Sequence, residues 1–346
     1  MIPHERSPSD PVEPLIPREA WPQAPSEPCH QQIAELYGNV PNEPAMIRHF
    51  LEIDDLSSKE LLDVLDLSEK PQDRLLAGKG VALIFEKPSL RTRNSTEMAV
   101  VQLGGHPAYI TSAEVALDVR ETVEDVTRTL NGYYDILCAR VFEHSKLERM
   151  VSVSTHPVVN LLSDAGHPVQ ALADLLTIRQ SLGTLSGRTI GWVGDFSNVA
   201  RSLALGGAML GMSFRFGGPP DYAPSESDRD RFVALAFDGA TLSVHIRPQE
   251  AVAGVDVVTT DAWYSMGQEH EKNIRHSAME GCTVDQTLMN LAANHAVFLH
   301  CLPAHRGEEV TNEVLDGPQS RIWPQAHNRM HTFRGLLSWI AQNGIH

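Results

Sequence analysis

The run Gly80-Val81-Ala82-Leu83-Ile84 is followed by Phe85-Glu86-Lys87-Pro88-Ser89-Leu90-Arg91-Thr92-Arg93-Asn94-Ser95 and then by Thr96-Glu97-Met98-Ala99-Val100-Val101-Gln102-Leu103. The first piece reads as a short buried strand and the last as a helix, so Pro88 to Arg93 falls where a strand hands over to a helix. Free backbone N–H groups and the positive end of the helix dipole make such a junction a natural anion seat. Ser89 and Thr92 add hydroxyls, and Arg91 and Arg93 add guanidinium forks that suit phosphate oxygens in pairs. An ordinary capped helix with two solvated arginines would show the same spacing, because Ser and Thr are common at helix starts. What decides between the two is what the rest of the chain brings to this junction.

Working outward, 346 residues suffice for two domains with separate cores. The formal charge of −16 argues against a general nucleic-acid or anionic-membrane binder. Cys29, Cys138, Cys282 and Cys301 are far apart and form no C-x-x-C pair, which suggests reduced thiols in a cytoplasmic protein. No apolar run approaches the length of a membrane span, and the N-terminus lacks a basic-then-apolar signal layout. Residues 1–45 hold ten of the 22 prolines and read as an extended or disordered extension. Globular sequence opens at Met46, itself a candidate alternative start.

Ser57-x-x-Glu60 is a capping box ahead of Leu61, Leu62, Val64, Leu65 and Leu67. Strands are expected at 80–85, 107–110, 135–141 and 157–161, with helices at 92–103, 121–132, 144–152 and 168–182. A second series has strands near 189–195, 213–217, 241–246, 255–259 and 296–300, and a last helix covers about 324–342. This alternation predicts an α/β protein with two tandem domains, each a parallel sheet covered by helices on both faces. Ligands in such folds sit at the C-terminal ends of the strands, so the cleft between the domains is the expected site.

Several residues point toward that cleft. His167-Pro168-Val169-Gln170 opens the helix at 168–182, with proline in its first turn, and puts an imidazole and an amide at one helix end. Arg140 ends the strand Ile136-Leu137-Cys138-Ala139 and is a candidate third guanidinium. Gly191-Trp192-Val193-Gly194-Asp195-Phe196 lacks the later glycines of a dinucleotide fingerprint, although Asn198 remains a polar contact for a small ligand. Asp261 and Ser265, on a loop after a strand, suit capture of an ammonium group. Cys301 lies in His300-Cys301-Leu302-Pro303-Ala304-His305-Arg306, where imidazoles and backbone dipoles are expected to lower its pKa. His300, Cys301 and His305 also raise a metal site, but no fourth ligand at zinc-like spacing appears and no metal is expected. Arg329, in the last helix, could return over the cleft. Each of these is equally compatible with a structural or solvated role when taken singly.

Together the segments resemble the ornithine carbamoyltransferases of the aspartate/ornithine carbamoyltransferase superfamily. The resemblance rests on Phe-Glu-Lys-Pro-Ser-x-Arg-Thr-Arg at 85–93, Gln-Leu-Gly-Gly-His at 102–106, His-Pro-x-Gln at 167–170 and Ala-Leu-Ala-Asp-Leu-Leu-Thr-Ile at 171–178. It continues with Ser-Met-Gly-Gln-Glu at 265–269 and His-Cys-Leu-Pro-Ala-His-Arg-Gly at 300–307. It implies a carbamoyl phosphate-binding domain at 46–182, an ornithine-binding domain at 183–323 and a C-terminal helix at 324–346 crossing back to the first domain. The implied reaction carries the carbamoyl group to the side-chain amine of L-ornithine, giving L-citrulline and phosphate. A related amine acceptor and a non-catalytic metabolite-binding paralogue are the alternatives.

By this resemblance Ser89, Leu90, Arg91, Thr92, Arg93 and Arg140 hold the phosphate end, and His167 and Gln170 the carbamoyl group. Cys301, Leu302 and Arg329 complete that site, with Cys301 and Leu302 near the ornithine side-chain nitrogen. Leu162, Asn198, Asp261, Ser265 and Met266 hold ornithine. Cys301, Arg140 and His167 are the implied catalytic residues, and Leu302-Pro303 is implied to be cis. No metal or organic cofactor is implied. The implied assembly is a homotrimer or a group of trimers, with a loop from one subunit entering the next. The chain departs from the family pattern in several places: Leu90 stands for a threonine, Val169 is a conservative change, Ala116 stands for a Gln or His, Asp118 brings a negative charge to the loop that reaches the neighbouring phosphate, and Glu121-Thr122-Val123-Glu124-Asp125-Val126-Thr127-Arg128 stands for Glu-Ser-x-x-Asp-Thr-Ala-Arg.

Overall fold

The computed structural model describes residues 47–344 apart from 72 and 265–270. The extension 1–45, Met46, Ser265 and Met266 therefore lie outside the described residues. Elements of the first lobe are α1 (Ser58–Glu69), β1 (Gly80–Phe85), α2 (Leu90–Gln102), β2 (His106–Thr111), α3 (Ser112–Val115), α4 (Val123–Asn131), β3 (Ile136–Arg140), α5 (His144–Val153), β4 (Val158–Leu162) and α6 (Pro168–Leu182). The second lobe holds β5 (Thr189–Val193), α7 (Asn198–Met209), β6 (Ser213–Gly217), α8 (Glu226–Leu235), β7 (Leu242–His245), α9 (Pro248–Val252), β8 (Val257–Thr260), α10 (Lys272–Ala278), α11 (Gln286–Met289), β9 (Val297–His300) and α12 (Asn312–Leu315). The last helix is α13 (Ile322–Asn343).

Both sheets are parallel throughout, in the orders β2-β1-β3-β4 and β7-β6-β5-β8-β9. The inner strands are short apolar runs buried on both faces, as a sheet covered by helices requires: every residue of β3 and of β8 is buried, whereas the edge strands β2 and β7 have no fully buried residue. Strand order reverses between β1 and β3 in one sheet and between β5 and β8 in the other. A crevice opens beyond the strand ends at each reversal, and there the loops after β1, β3, β5 and β8 deliver their side chains.

Local sequence sets the helix ends. Ser57 Oγ accepts from the Glu60 N–H at 3.3 Å while a Glu60 carboxylate oxygen accepts from the Ser57 N–H at 2.8 Å, which is the expected capping box. In α6, Pro168 occupies the first turn, Gly183 caps the end at φ 79°, and every residue from Pro168 to Ile178 is buried. Helix α6 packs against α7 on one side and α13 on the other. Helix α13 leaves the second lobe and covers α1 and α2 as well, burying Phe333, Leu336, Leu337, Trp339 and Ile340. The crossing-back of the C-terminal helix is thus an apolar docking, and it carries Arg329 into the first lobe. Among the described residues no helix is long and apolar enough to cross a membrane.

Candidate active site

A cleft of about 730 Å³ lies at the two strand-order reversals. Its walls include Ser89, Leu90, Arg91, Thr92, Arg140, Leu162, His167, Gln170, Asn198, Asp261, Cys301, Leu302 and Arg329. Residues from seven separate chain segments thus meet around one space.

On the first-lobe wall, Ser89 is the N-cap of α2 and accepts from the Thr92 N–H at 3.3 Å. The N–H groups of Leu90 and Arg91, in the first turn, have no helical acceptor available and face the cleft end of the helix. Leu90 turns its side chain outward, 76% exposed, so only its backbone serves the seat. Arg329 Nη2 donates to Thr92 Oγ1 at 3.1 Å, and Arg140 Nη1 lies 3.5 Å from the same oxygen. Arg329 Nη1 also donates to Gln170 Oε1. The side-chain hydrogen bonds of Arg140 and Arg329 among the described residues run to Thr92 and Gln170 and not to a carboxylate, and Arg140 Nε is buried without a partner. Burial first, then the neighbouring Arg91, pulls Arg140 down to about 10. Burial first, then Arg140, does the same to Arg329. Clustered buried guanidinium groups repel one another, and a dianion among them relieves that repulsion.

Arg93 is the exception. Two residues past Arg91 places it roughly 200° round the helix. Its guanidinium lies 3.7 Å from the centroid of the Tyr109 ring and pairs with Glu97 at 3.0 Å, outside the cleft wall. The expectation that it contributes to the seat in its own chain is corrected by this helical geometry.

His167 is the N-cap residue of α6, 4% exposed, with Nδ1 buried and unpartnered. Burial, then the charges of Arg329, Arg140 and Arg91, hold its pKa well below the ordinary value, so the ring is a neutral donor or acceptor. Behind it, a Cβ on Gly166 would sit 2.6 Å from the Glu52 carboxylate, so a larger residue in the turn delivering His167 would have to displace that carboxylate. Gln170 Nε2 donates to Asp174 Oδ1 at 2.7 Å, which leaves Gln170 Oε1 to Arg329. Gln325 Nε2 donates to the same Asp174 oxygen at 2.7 Å, and burial raises that carboxyl to about 6. Asp174 stood inside the 171–178 segment that carries the resemblance but was given no role there, although Gln and Asp one helical turn apart is its signature.

The facing wall belongs to the second lobe. Asp261 follows β8 and accepts from its neighbour Ala262 N–H at 2.8 Å and from Ser197 Oγ at 3.4 Å. Cys301 Sγ donates to Asp261 Oδ1 at 3.1 Å. Burial first, then Asp261, pushes the thiol well above its usual range. The expectation of a lowered cysteine pKa is therefore corrected: the nearest charge is a carboxylate, contributed from a position remote in sequence. His300 turns into the core, where Nδ1 accepts from the Leu302 N–H at 2.9 Å and Nε2 lies 3.0 Å from Glu309. The Leu302-Pro303 bond is cis, as the resemblance implied. Asn198 Nδ2 donates across the cleft to the Ser163 carbonyl at 2.6 Å.

Arg275, in α10, brackets the undescribed segment 265–270. It donates to Asp195 at 2.8 Å, to the Trp263 carbonyl at 3.3 Å and to Glu271 at 2.7 Å. Lys87, Asp164, Asp195 and Tyr264 also line the cleft and were not singled out in the sequence. Lys87 lay inside the opening stretch itself. Asp118, suspected of placing negative charge near a phosphate, is held by Arg149 through bonds of 2.7 and 2.9 Å within its own lobe.

Two parallel-sheet lobes with facing switch points, one cationic and one acidic, define an α/β protein that holds an anion against a second ligand. Two family profiles match the chain: the aspartate/ornithine carbamoyltransferase carbamoyl-P binding domain over residues 48–180, and the Asp/Orn binding domain over residues 186–340. An ornithine carbamoyltransferase of Acidothermus cellulolyticus is 45% identical over 302 residues, covering 85% of this chain and 97% of its own. One from Hyperthermus butylicus is 43% identical over 308 residues, covering 86% and 98%. The structure of the Pyrococcus furiosus ornithine carbamoyltransferase superposes with a TM-score of 0.81 at 39% identity, covering 85% of this chain and 97% of that one. The chain belongs to the aspartate/ornithine carbamoyltransferase family.

Proposed function

We propose that this protein transfers the carbamoyl group of carbamoyl phosphate to the side-chain amine of L-ornithine, giving L-citrulline and phosphate. The observation that carries the reading is the meeting of Arg91, Arg140 and Arg329 around Thr92 without a carboxylate partner among the described residues. Across from them stand an acid and a protonated thiol, a pairing that suits an incoming ammonium.

In this reading the first-turn N–H groups of α2, with Ser89, Thr92, Arg91 and Arg140, take the phosphate. His167, Gln170 and Arg329 take the carbamoyl group, and Leu162, Asn198, Asp261, Ser265 and Met266 take ornithine. Asp261 draws the amino acid's positive charge into the second lobe. Cys301, hydrogen-bonded to Asp261 and itself protonated, lies beside the side-chain nitrogen, whose ammonium loses one proton to solvent before attack. The nitrogen lone pair forms a C–N bond to the carbamoyl carbon, the C–O bond to phosphate breaks, and the displaced proton leaves with phosphate. Neutral His167 and cationic Arg140 stabilise the oxygen of the tetrahedral intermediate, a term often worth several kcal/mol. Holding both reactants in line lowers the barrier further.

The domain limits 46–182 and 183–323, with 324–346 returning, follow the same reading. So do a homotrimeric assembly and a cytoplasmic location. The test is direct: the folded protein, incubated with both substrates, forms citrulline and phosphate in equal amounts. Folded protein that forms none overturns the assignment, and sedimentation decides the assembly.

A further inference from the structure

At the rim of the reaction cleft, which His305 also lines, the turn after β9 brings His305, Glu308 and Glu309 together, with one nitrogen or oxygen of each within 4.8 Å of the others. Two of their buried atoms lack hydrogen-bond partners. Glu309 has a side chain with no exposure, and its Oε2 has no hydrogen bond; His305 Nδ1 is likewise buried and unpartnered. These two atoms face each other at 3.7 Å, too far for a hydrogen bond. Glu308 Oε2 lies 3.8 Å from the same nitrogen. Edges of this length need to close only slightly to surround an ion with bonds of about 2.1 Å.

The surrounding groups already hold the ligands as a metal would need. Glu309 Oε1 is fixed by the His305 N–H at 2.6 Å and by His300 Nε2 at 3.0 Å. His300 Nδ1 accepts from the Leu302 N–H, so the proton sits on Nε2 and His300 is a neutral donor. Glu309 is thus a fully buried carboxylate whose described hydrogen-bond partners are neutral, a costly arrangement unless a cation joins it. Glu308 Oε2 is oriented by His276 Nε2 at 2.9 Å. Outer hydrogen bonds to ligating carboxylates are a general feature of built metal sites.

We propose that His305 Nδ1, Glu308 and Glu309 bind a divalent cation of the Zn²⁺ class, with water in the remaining position. One imidazole with two carboxylates favours a first-row transition ion over Mg²⁺ or Ca²⁺. The site also ties down its neighbourhood. The His305 ring stacks on Tyr264 at 4.9 Å, and His276 belongs to α10, so a bound ion couples the turn after β9 to both flanks of the segment 265–270.

The test uses the full chain, stripped with a chelator and titrated with Co²⁺, whose absorption reports its ligands. The expected result is one equivalent of bound Co²⁺ with an oxygen/nitrogen spectrum, unchanged after cysteine alkylation and displaced by Zn²⁺. His305→Ala and Glu308→Gln, both at partly exposed positions, are expected to weaken binding at least about tenfold. Glu309→Gln is a third variant, read only where circular dichroism shows it folded. A thiolate-to-cobalt charge-transfer band that alkylation abolishes would place the ion at Cys301 and overturn the proposal. Undiminished affinity in folded His305→Ala and Glu308→Gln, or no saturable binding to the wild type, overturns it too.

Discussion

The two walls of the cleft handle charge in opposite ways. On the first-lobe wall, Arg91, Arg140 and Arg329 are buried or half-buried and have no acid to pair with among the described residues, so the wall is strained toward an anion. On the second-lobe wall charge is settled internally: Asp195 is paired with Arg275, Asp261 takes a proton-bearing thiol, and Cys301 stays neutral. One wall is completed by its ligand, whereas the other is complete before its ligand arrives. The contrast implies different energetics for the two substrates. On the proposed assignment, the first is held by relief of repulsion and the second by exchange of existing hydrogen bonds.

The largest test of that contrast is Arg91→Ala. It should reduce kcat/KM by about 3 kcal/mol, or roughly a hundredfold or more, by removing a charge-assisted fork from the phosphate. The ligand-free protein should melt no lower than wild type, because a repelling neighbour has gone. Wild-type kcat/KM, or a markedly lower melting temperature, would break the comparison.

Asp174→Asn comes next. The carboxyl's folded pKa of about 6 lies above its ordinary 3.8, so folding favours the protonated form. That contribution is complete below pH 3.8 and is lost as pH rises through about 6. Asparagine keeps an acceptor for Gln170 and Gln325 but cannot ionise. The variant should therefore gain up to about 3 kcal/mol on wild type between pH 4 and pH 7, measured by urea unfolding. Parallel pH profiles would show that Asp174 is not held neutral.

A smaller effect should follow Asp261→Asn. The KM for ornithine should rise by about 2 kcal/mol equivalent while calorimetric binding of carbamoyl phosphate is unchanged. With the carboxylate gone the Cys301 pKa should fall, so alkylation of Cys301 at mildly alkaline pH should accelerate. Equal alkylation rates would mean that burial alone sets the thiol. The smallest change should come from Arg275→Lys, which keeps the charge but loses the fork spanning Trp263 and Glu271. About 1 kcal/mol in ornithine KM, with carbamoyl phosphate affinity intact, would localise its role to the second wall.

Much of this was readable in the chain because the information is local. The strand-to-helix junction at Ser89, the proline after His167 and the capping box at Ser57 each depend on neighbours a turn away. All nine strands fall within a few residues of their expected spans for the same reason. What the chain order hides is direction and environment. Arg91 and Arg93 look equivalent in sequence, yet the helix turns one into the cleft and the other onto Tyr109. The Cys301 thiol was expected to be acidic beside its flanking histidines. His300 instead points into the core, and Asp261 arrives from another strand. Whether a charge is compensated is a property of the assembled fold.

Arg329 rides on the last helix of the chain, while Ser89 and Arg91 open one of the first. A ribosome releases these residues in that order, so the nascent first lobe can shape its phosphate loop long before the final guanidinium emerges. On the proposed assignment, retention of the anion must wait until α13 has emerged. A message cut short before α13 would yield a chain lacking Arg329 and leaving the apolar faces of α1, α2 and α6 bare. Such a product would open those faces to water and to proteases.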